Sequence, residues 1–412
     1  MTPPIGAPLF TGPATAVADR LDIRGLVIYS AQAPVVIASI DWCEIRNDSY
    51  DLWRARLASA AGTTRERVLL SAVHPHDAPY TDSGAHRYLD DAGLKGSLCD
   101  PAWEATTIGR VADAIRQSNP EAVTHIGVGR ARVSRVASNR RYVKPDGTVS
   151  FGRTSATRDA AIRAMPEGLI DPWLRTLTFW DGRRRVAALS VYSTHPMSYY
   201  GRGEVTPDFP GLARNRLQAE DPGTFHVYAS GASGDTMAGK YNDGAVSNRA
   251  VLAGRMYGAM RASLAATRKT RLSTVGFRNV EMRMKARGSD GFRTEQMRAV
   301  VENRNAPWRD RHNAALGLSW LDRLGEGRPI DVPAVDLGAA KLVLLPAEAF
   351  VQYQLWAQQH GPFVITLGYG ECAPGYIPTA RDVAEGYNDH YCWVDMETSE
   401  ATMRGAIGKA LE

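Results

Sequence analysis

The sequence predicts an α/β fold, and two observations carry that reading. Short apolar runs rich in β-branched residues alternate along the chain with stretches of helical spacing. Two of those runs, over 68–73 and 186–194, end in His74-Pro75-His76 and in Thr194-His195-Pro196. Proline cannot donate to a strand ladder, so each imidazole falls where a strand gives way to a loop. In open α/β sheets that carboxyl end is where ligands bind.

Taken in order, residues 1–20 are rich in Pro, Gly and Thr and read as an irregular arm. Strands over 23–30 and 34–41 follow, the second ending in Asp41-Trp42-Cys43-Glu44. A helix over 50–61 leads to the strand at 68. Residues 81–96 read as a polar loop long enough for a lid, 103–117 as a helix, and 126–136 as a strand running into Ser138-Asn139-Arg140-Arg141. Residues 142–170 lack periodicity and read as a surface loop. Strands over 174–180 and 186–194 form a hairpin through Asp181-Gly182, a favoured turn dipeptide. A helix over 212–219, a strand over 225–229 and a glycine-rich turn, GASGDTMAGKYNDG, come next. The reading continues with a helix over 247–267, one strand over 270–285, and a polar, Arg-rich helical region over 286–325. A strand over 340–345 ends in Pro346-Ala347-Glu348, followed by a helix over 349–360, a strand over 363–367 and GYGECAPGYIPT. Trp308, Trp320 and Trp356 are expected in the core. With no repeat, low-complexity tract or linker, residues 1–412 are expected to form a single large domain.

Composition narrows the function classes. Hydrophobic residues make up 44% and charged residues 23% of the chain, as in ordinary soluble globular proteins. The formal charge of +5 comes from 49 basic and 44 acidic residues spread along the sequence, with no basic run interleaved with aromatics, so nucleic acid is not an expected partner. Cys43, Cys99, Cys372 and Cys392 show no C-x-x-C spacing and fit a reducing compartment. The opening MTPPIGAPLF lacks the basic and apolar regions of a signal peptide, and no stretch approaches a membrane-spanning helix. The expected setting is cytoplasmic, with a small-molecule amide or ester substrate, no membrane span, and homo-oligomerisation left open.

The strand ends supply His74 and His76, His195, Glu348 and the segment around Tyr376. Two imidazoles and a carboxylate, with a further oxygen donor and water, suit a Zn²⁺ site of the catalytic type. Zinc would polarise a carbonyl and bring the pKa of a bound water toward neutrality. The glycine-rich turn offers a competing motif, because Gly234 to Tyr241 reads G-x-x-x-x-G-K-Y. A phosphate-binding P-loop needs Ser or Thr after the lysine to hold Mg²⁺, and Tyr241 stands there instead.

Read together, these segments resemble the catalytic domain of the neutral/alkaline (non-lysosomal) ceramidase family. SAVHPHDAPY is similar to that family's S-x-T-H-T-H-S-G-P segment, STHPMSYYG to its second histidine segment, and TPDFPG to the aspartate-glycine segment after it. Asn139-Arg140 resembles its Asn-Arg, LPAEAF its P-G-E segment, and PGYIPT the segment with the metal-binding tyrosine. The resemblance implies an α/β domain with mixed β-sheets flanked by helices. It also implies one Zn²⁺ held by His74, His195, Glu348 and Tyr376, with His76, Arg140 and Tyr387 as substrate or oxyanion partners.

Two departures bear on the activity. Ceramidases carry a serine in a G-D-x-S-P-N turn, and Met237 stands at that position here. The chain also ends soon after Tyr387, without room for the family's C-terminal immunoglobulin-like domain. The expectation is therefore zinc-dependent hydrolysis of a soluble non-ceramide amide. His76 or Asp77 would serve the leaving nitrogen, and Arg140 could instead hold a substrate carboxylate. An esterase or lactonase on the same site, and an inactive metal- or ligand-binding homologue, are the alternatives.

Overall fold

Sheets and helices alternate along the computed structural model, which describes residues 1–412. Three sheets share one apolar core. The first has the order Ile23–Ile28, Val35–Ile40, Val68–Ala72; the second Phe225–Ser230, Arg184–Tyr192, Trp173–Asp181, His125–Arg132, Arg268–Arg271; the third Gly276–Met282, Ile330–Asp336, Lys341–Leu344, Val364–Leu367. Ile37 and Leu69 from the first, Leu189 and Val227 from the second, and Leu342 and Ile365 from the third meet in the shared core. Because side chains alternate along a strand, the neighbours of these residues face outward and are buried by helices. Val36 and Leu70 pack with Trp53 and Leu57 of helix Asn47–Ala61 and Ile108 of helix Pro101–Gln117. Ala188 and Tyr228 pack with Phe209 of Asp208–Glu220 and Met256 of Ser247–Ala265. Val332 and Val343 pack with Leu318 of Trp308–Gly325 and Ile407 of Ser399–Leu411. This is the expected mixed α/β fold, with sheets flanked by helices.

Each sheet contains one parallel pair: Val35–Ile40 with Val68–Ala72, Arg184–Tyr192 with Phe225–Ser230, and Lys341–Leu344 with Val364–Leu367. Those pairs aim their carboxyl ends at one place, and His74, His195 and Glu348 each follow a strand of a different sheet.

The structure departs from the sequence reading in several places. Residues 81–96 are not a lid-like loop: they contain the helix Ser83–Asp91, whose Asp82 side chain accepts from the Ala85 N–H. Ala85 and Leu89, one turn apart, are buried in the core that also holds Leu316 and Leu318. The single strand expected over 270–285 is two strands, Arg268–Arg271 and Gly276–Met282, in different sheets. The 286–325 region holds the helices Thr294–Glu302 and Trp308–Gly325, and despite its polar composition Ala315 to Trp320 are buried. Trp320 is a core residue, Trp356 packs against the core, and Trp308 is 41% exposed. No helix of the chain is long and apolar enough to cross a membrane.

A buried ion pair joins the first and third sheets. Arg54, on the helix over the first sheet, meets Asp331 of the third at 2.8 Å, with the two side chains 2% and 4% exposed. Removing one partner of such a pair strands the other charge. Asp331→Ala is expected to lower stability by about 3–5 kcal/mol, read as a fall in the denaturant midpoint; an unchanged midpoint would overturn the role of this pair.

Candidate metal centre

His74 and His195 each have a backbone carbonyl as the nearest partner of Nδ1. Nδ1 of His74 lies 2.9 Å from the Cys43 carbonyl oxygen, and Nδ1 of His195 lies 2.6 Å from that of Ser233. A carbonyl can only accept, so each Nδ1 carries the proton and donates it. Each Nε2 is then a bare lone pair. Both lone pairs face the same carboxylate oxygen: Glu348 Oε2 lies 2.9 Å from His195 Nε2 and 3.5 Å from His74 Nε2. Three acceptors turned on one another in a buried pocket call for a cation among them. The ligand atoms of His74, His195 and Glu348 all lie within 4.8 Å of one another, and all three residues are buried. Their chemistry, two nitrogens and one oxygen, fits a zinc-type ion with an open position.

The electrostatics show the same demand for positive charge among the three groups, which a proton on the imidazoles also meets. Burial opposes ionisation of Glu348, but the adjoining imidazoles outweigh it and hold the carboxyl well below its usual range. Burial also pulls His74 down, yet Glu348 and then Glu44 raise it overall, whereas for His195 burial prevails and the pKa is lowered.

Tyr376 is placed by register. The short parallel bridge of Glu348–Ala349 with Tyr376–Ile377 sets Glu348 directly beside Tyr376. Burial, followed by the Glu348 charge, pushes its phenol well above the usual range. Gly234 makes the close packing behind this bridge feasible: a Cβ there would lie 2.1 Å from the Glu348 carbonyl oxygen. Backbone strain also gathers here. His74, Ala347 and Tyr369 have φ of 75°, 56° and 55°, in the left-handed region that non-glycine residues rarely adopt. Such strain concentrates at functional sites.

Of the remaining sequence-derived residues, His76 stands beside the centre, with Nε2 3.4 Å from His74 Nε2 and a buried Nδ1 that has no partner. Burial, reinforced by His74 and His195, pulls its pKa well down. Asp77 turns away, its Oδ1 accepting from Thr11 Oγ1 at 2.6 Å and from the Gly201 N–H at 2.9 Å. Arg140 and Tyr387 flank Tyr376: the guanidinium lies 5.3 Å from the Tyr376 ring centre, and the Tyr387 ring meets that ring edge-on at 6.3 Å. Arg140 Nε and the Tyr387 hydroxyl are buried without hydrogen-bond partners. Met237 is buried and occupies a two-residue bridge, pairing with Ser138. The P-loop-like Lys240 is engaged structurally, its ammonium donating to the carbonyls of Arg163 and Met165 at the end of helix Ala160–Ala164.

Sequence reasoning missed two neighbours. Tyr369 stacks on His74 with ring centres 4.4 Å apart, and its hydroxyl lies 2.6 Å from Ser233 Oγ. Glu44 lies 3.9 Å from His74 Nδ1 and is tied to Arg46 at 2.8 Å. Both follow strands that the sequence reading did identify, so their position at a strand end was the available signal. A cavity of about 230 Å³ opens over the centre, lined by His74, His76, Glu348 and Tyr376 together with Phe10, Tyr80, Tyr200, Trp308 and Tyr391.

The chain resembles the solved neutral ceramidase from Pseudomonas aeruginosa, with a TM-score of 0.68 at 16% identity over 99% of this chain and 72% of that one. It resembles equally a ceramidase complexed with C2, with a TM-score of 0.68 at 16% identity over 99% of this chain and 73% of that one. At this identity the likeness is one of fold. No protein-family model and no curated protein sequence matches the chain.

Two substitutions test how the centre is held. Gly234→Ala is expected to destabilise the fold by about 1–3 kcal/mol, measured by denaturant unfolding, because its methyl group would have to displace the Glu348 backbone. No loss would mean that this backbone yields. Asp235 is the second. It accepts from the Val351 N–H at 2.7 Å and from Asn139 Nδ2 at 2.6 Å, joining the Arg140 segment to the Glu348 segment. Burial pushes its carboxyl from 3.8 up to about 7. A raised carboxyl binds more protons folded than unfolded, so its stabilising contribution is full below 3.8 and is lost as pH rises through about 7. Asp235→Asn is expected to remove that slope: across this window the stability difference should move in the variant's favour, whatever its constant offset. A pH-independent difference between the two proteins would overturn it.

Proposed function

We propose that this protein is a zinc-dependent hydrolase that cleaves an amide bond in a soluble, non-ceramide substrate. The observation that carries the reading is the pair of backbone-oriented imidazoles whose bare Nε2 atoms face the Glu348 carboxylate beneath an open cavity. His74, His195 and Glu348 would hold the ion, with Tyr376 as the fourth protein donor. When bound, zinc supplies Lewis-acid polarisation of a carbonyl and a water acidic enough to attack near neutral pH. The fold likeness to solved neutral ceramidases supports a hydrolase on this scaffold.

The other roles follow from which groups remain free. His76 lines the cavity and has an unpartnered ring nitrogen, so we assign it the transfer of the attacking water's proton to the leaving nitrogen. Asp77, the other candidate from sequence, spends Oδ1 on Thr11 and Gly201 and does not line the cavity. We assign the unpartnered Arg140 Nε–H and Tyr387 hydroxyl, both beside Tyr376, to the developing oxyanion. Groups of this kind typically contribute about 2.7–4 kcal/mol each to a transition state. A serine at position 237 is not part of this route. Met237 supplies backbone pairing, and its thioether is neither a nucleophile nor a base.

Metal content of the purified protein tests the proposal, measured beside His195→Ala and followed by amide and ester panels with and without chelator. The expected result is about one zinc per chain, lost in the variant, with amide hydrolysis that chelator abolishes and zinc restores. Ester-only turnover would move the reading to an esterase or lactonase. A folded protein that takes up no zinc would leave a ligand-binding homologue.

A further inference from the structure

The cavity over the centre does not end at its mouth. A second cavity of about 520 Å³ adjoins it, and the two share Thr11, Trp308, Arg309 and His312. The inner cavity, at about 230 Å³, is smaller than the roughly 300–1,000 Å³ of typical ligand pockets. A substrate of ordinary size with its scissile bond beside His74 and Glu348 therefore runs past these shared residues into the outer cavity.

Charge is distributed unevenly along that path. Glu44 and Arg46 neutralise one another at 2.8 Å, and Glu348 faces the imidazoles. His312 is no cation: burial and then Arg311 lower it to about 4, and its ring nitrogens face the Tyr80 hydroxyl and Ser97 Oγ. Arg309 is the remaining charge. It makes no ion pair, and its guanidinium rests 5.2 Å from the Trp308 ring centre. It sits in the first turn of helix Trp308–Gly325, which has no side-chain cap; there the helix dipole adds to its positive field and the Asp310 carboxylate in the same turn opposes it. The inner walls beside it are aromatic: Phe10, Tyr80, Tyr200 and Tyr391.

We infer that the substrate is an amide carrying a carboxylate remote from the scissile bond, as in an N-acyl amino acid, and that Arg309 binds that carboxylate where the two cavities meet. The inference rests on the hydrolase reading for the position of the scissile bond. It replaces Arg140, which lies against Tyr376 and 3.6 Å from Asp389, as the carboxylate-holding arginine. A planar guanidinium suits a carboxylate, and a stacked aromatic keeps it oriented.

The test uses the full chain and two matched pairs of probes. Phenylacetylglycine is compared with phenylacetylglycinol, which places the charge on the amine side. Glutaric monoanilide is compared with pentananilide, which places it on the acyl side. Binding is measured by calorimetry on zinc-loaded and on chelator-treated protein, and turnover on the zinc-loaded protein. In at least one pair the carboxylate is expected to bind roughly tenfold or more tightly than its neutral partner, with or without metal. Arg309→Gln should bring that ratio close to one, and Arg309→Lys should restore part of it. Equal affinities in both pairs, or a preference that survives Arg309→Gln, would overturn the inference. So would a preference that disappears with the metal, which would place the carboxylate on the ion. Hydrolysis without carboxylate preference would remove the subsite and leave the hydrolase reading standing. An Arg309-dependent preference without any hydrolysis would do the reverse.

Discussion

A buried carboxylate oxygen turned toward two imidazole lone pairs repels them until a cation stands among the three. In this protein nearly every larger feature serves to hold that arrangement. Three sheets meet back to back on one core, and each contributes one parallel strand pair whose carboxyl ends approach the same point. The helices on their outer faces bury the other side of the central strands. The ligands are thus far apart in sequence but fixed relative to one another by the packing of the whole domain. Loosening any one sheet would displace one ligand.

Much of this was legible in the chain. A proline directly after an apolar run marks both the end of the strand and the position of the histidine, because the missing N–H has a visible sequence signature. Glu348 could be found in the same way, one short turn beyond Lys341–Leu344. The failures have physical causes too. The helix Ser83–Asp91 shows only two apolar anchors, Ala85 and Leu89, in a polar stretch, and its stability comes from an Asp82 cap and from packing on a distant helix. The strand Ile330–Asp336 had no counterpart in the sequence reading. It contains Pro333, which is tolerated because pairing with Lys341–Leu344 begins only at Ala334. Tyr369 and Glu44 share the strand-end position, but their contact with His74 is decided by long-range packing.

The glycine-rich turn illustrates how one sequence feature can suggest the wrong chemistry. Its Gly-x-x-x-x-Gly-Lys spacing looks like a phosphate cradle, yet each part has a different task in the fold. Gly234 lets the Glu348 backbone approach, Gly239 lies where a Cβ would meet the Thr154 carbonyl oxygen at 1.9 Å, and Lys240 closes off a short helix. Met237 belongs to the same structural set. Its neighbours Ser233 and Thr236 turn their carbonyl oxygens toward His195 Nδ1, at 2.6 and 3.3 Å.

Those carbonyls, with that of Cys43, have a consequence for how such a centre can evolve. An orienting partner that is a side chain disappears when its residue is replaced. A main-chain oxygen is supplied by every amino acid. A change of side chain at position 43, 233 or 236 therefore leaves the acceptor of each imidazole in place, provided the backbone path is kept. A scaffold built in this way can change most of its residues while handing down the pose of its two imidazoles intact.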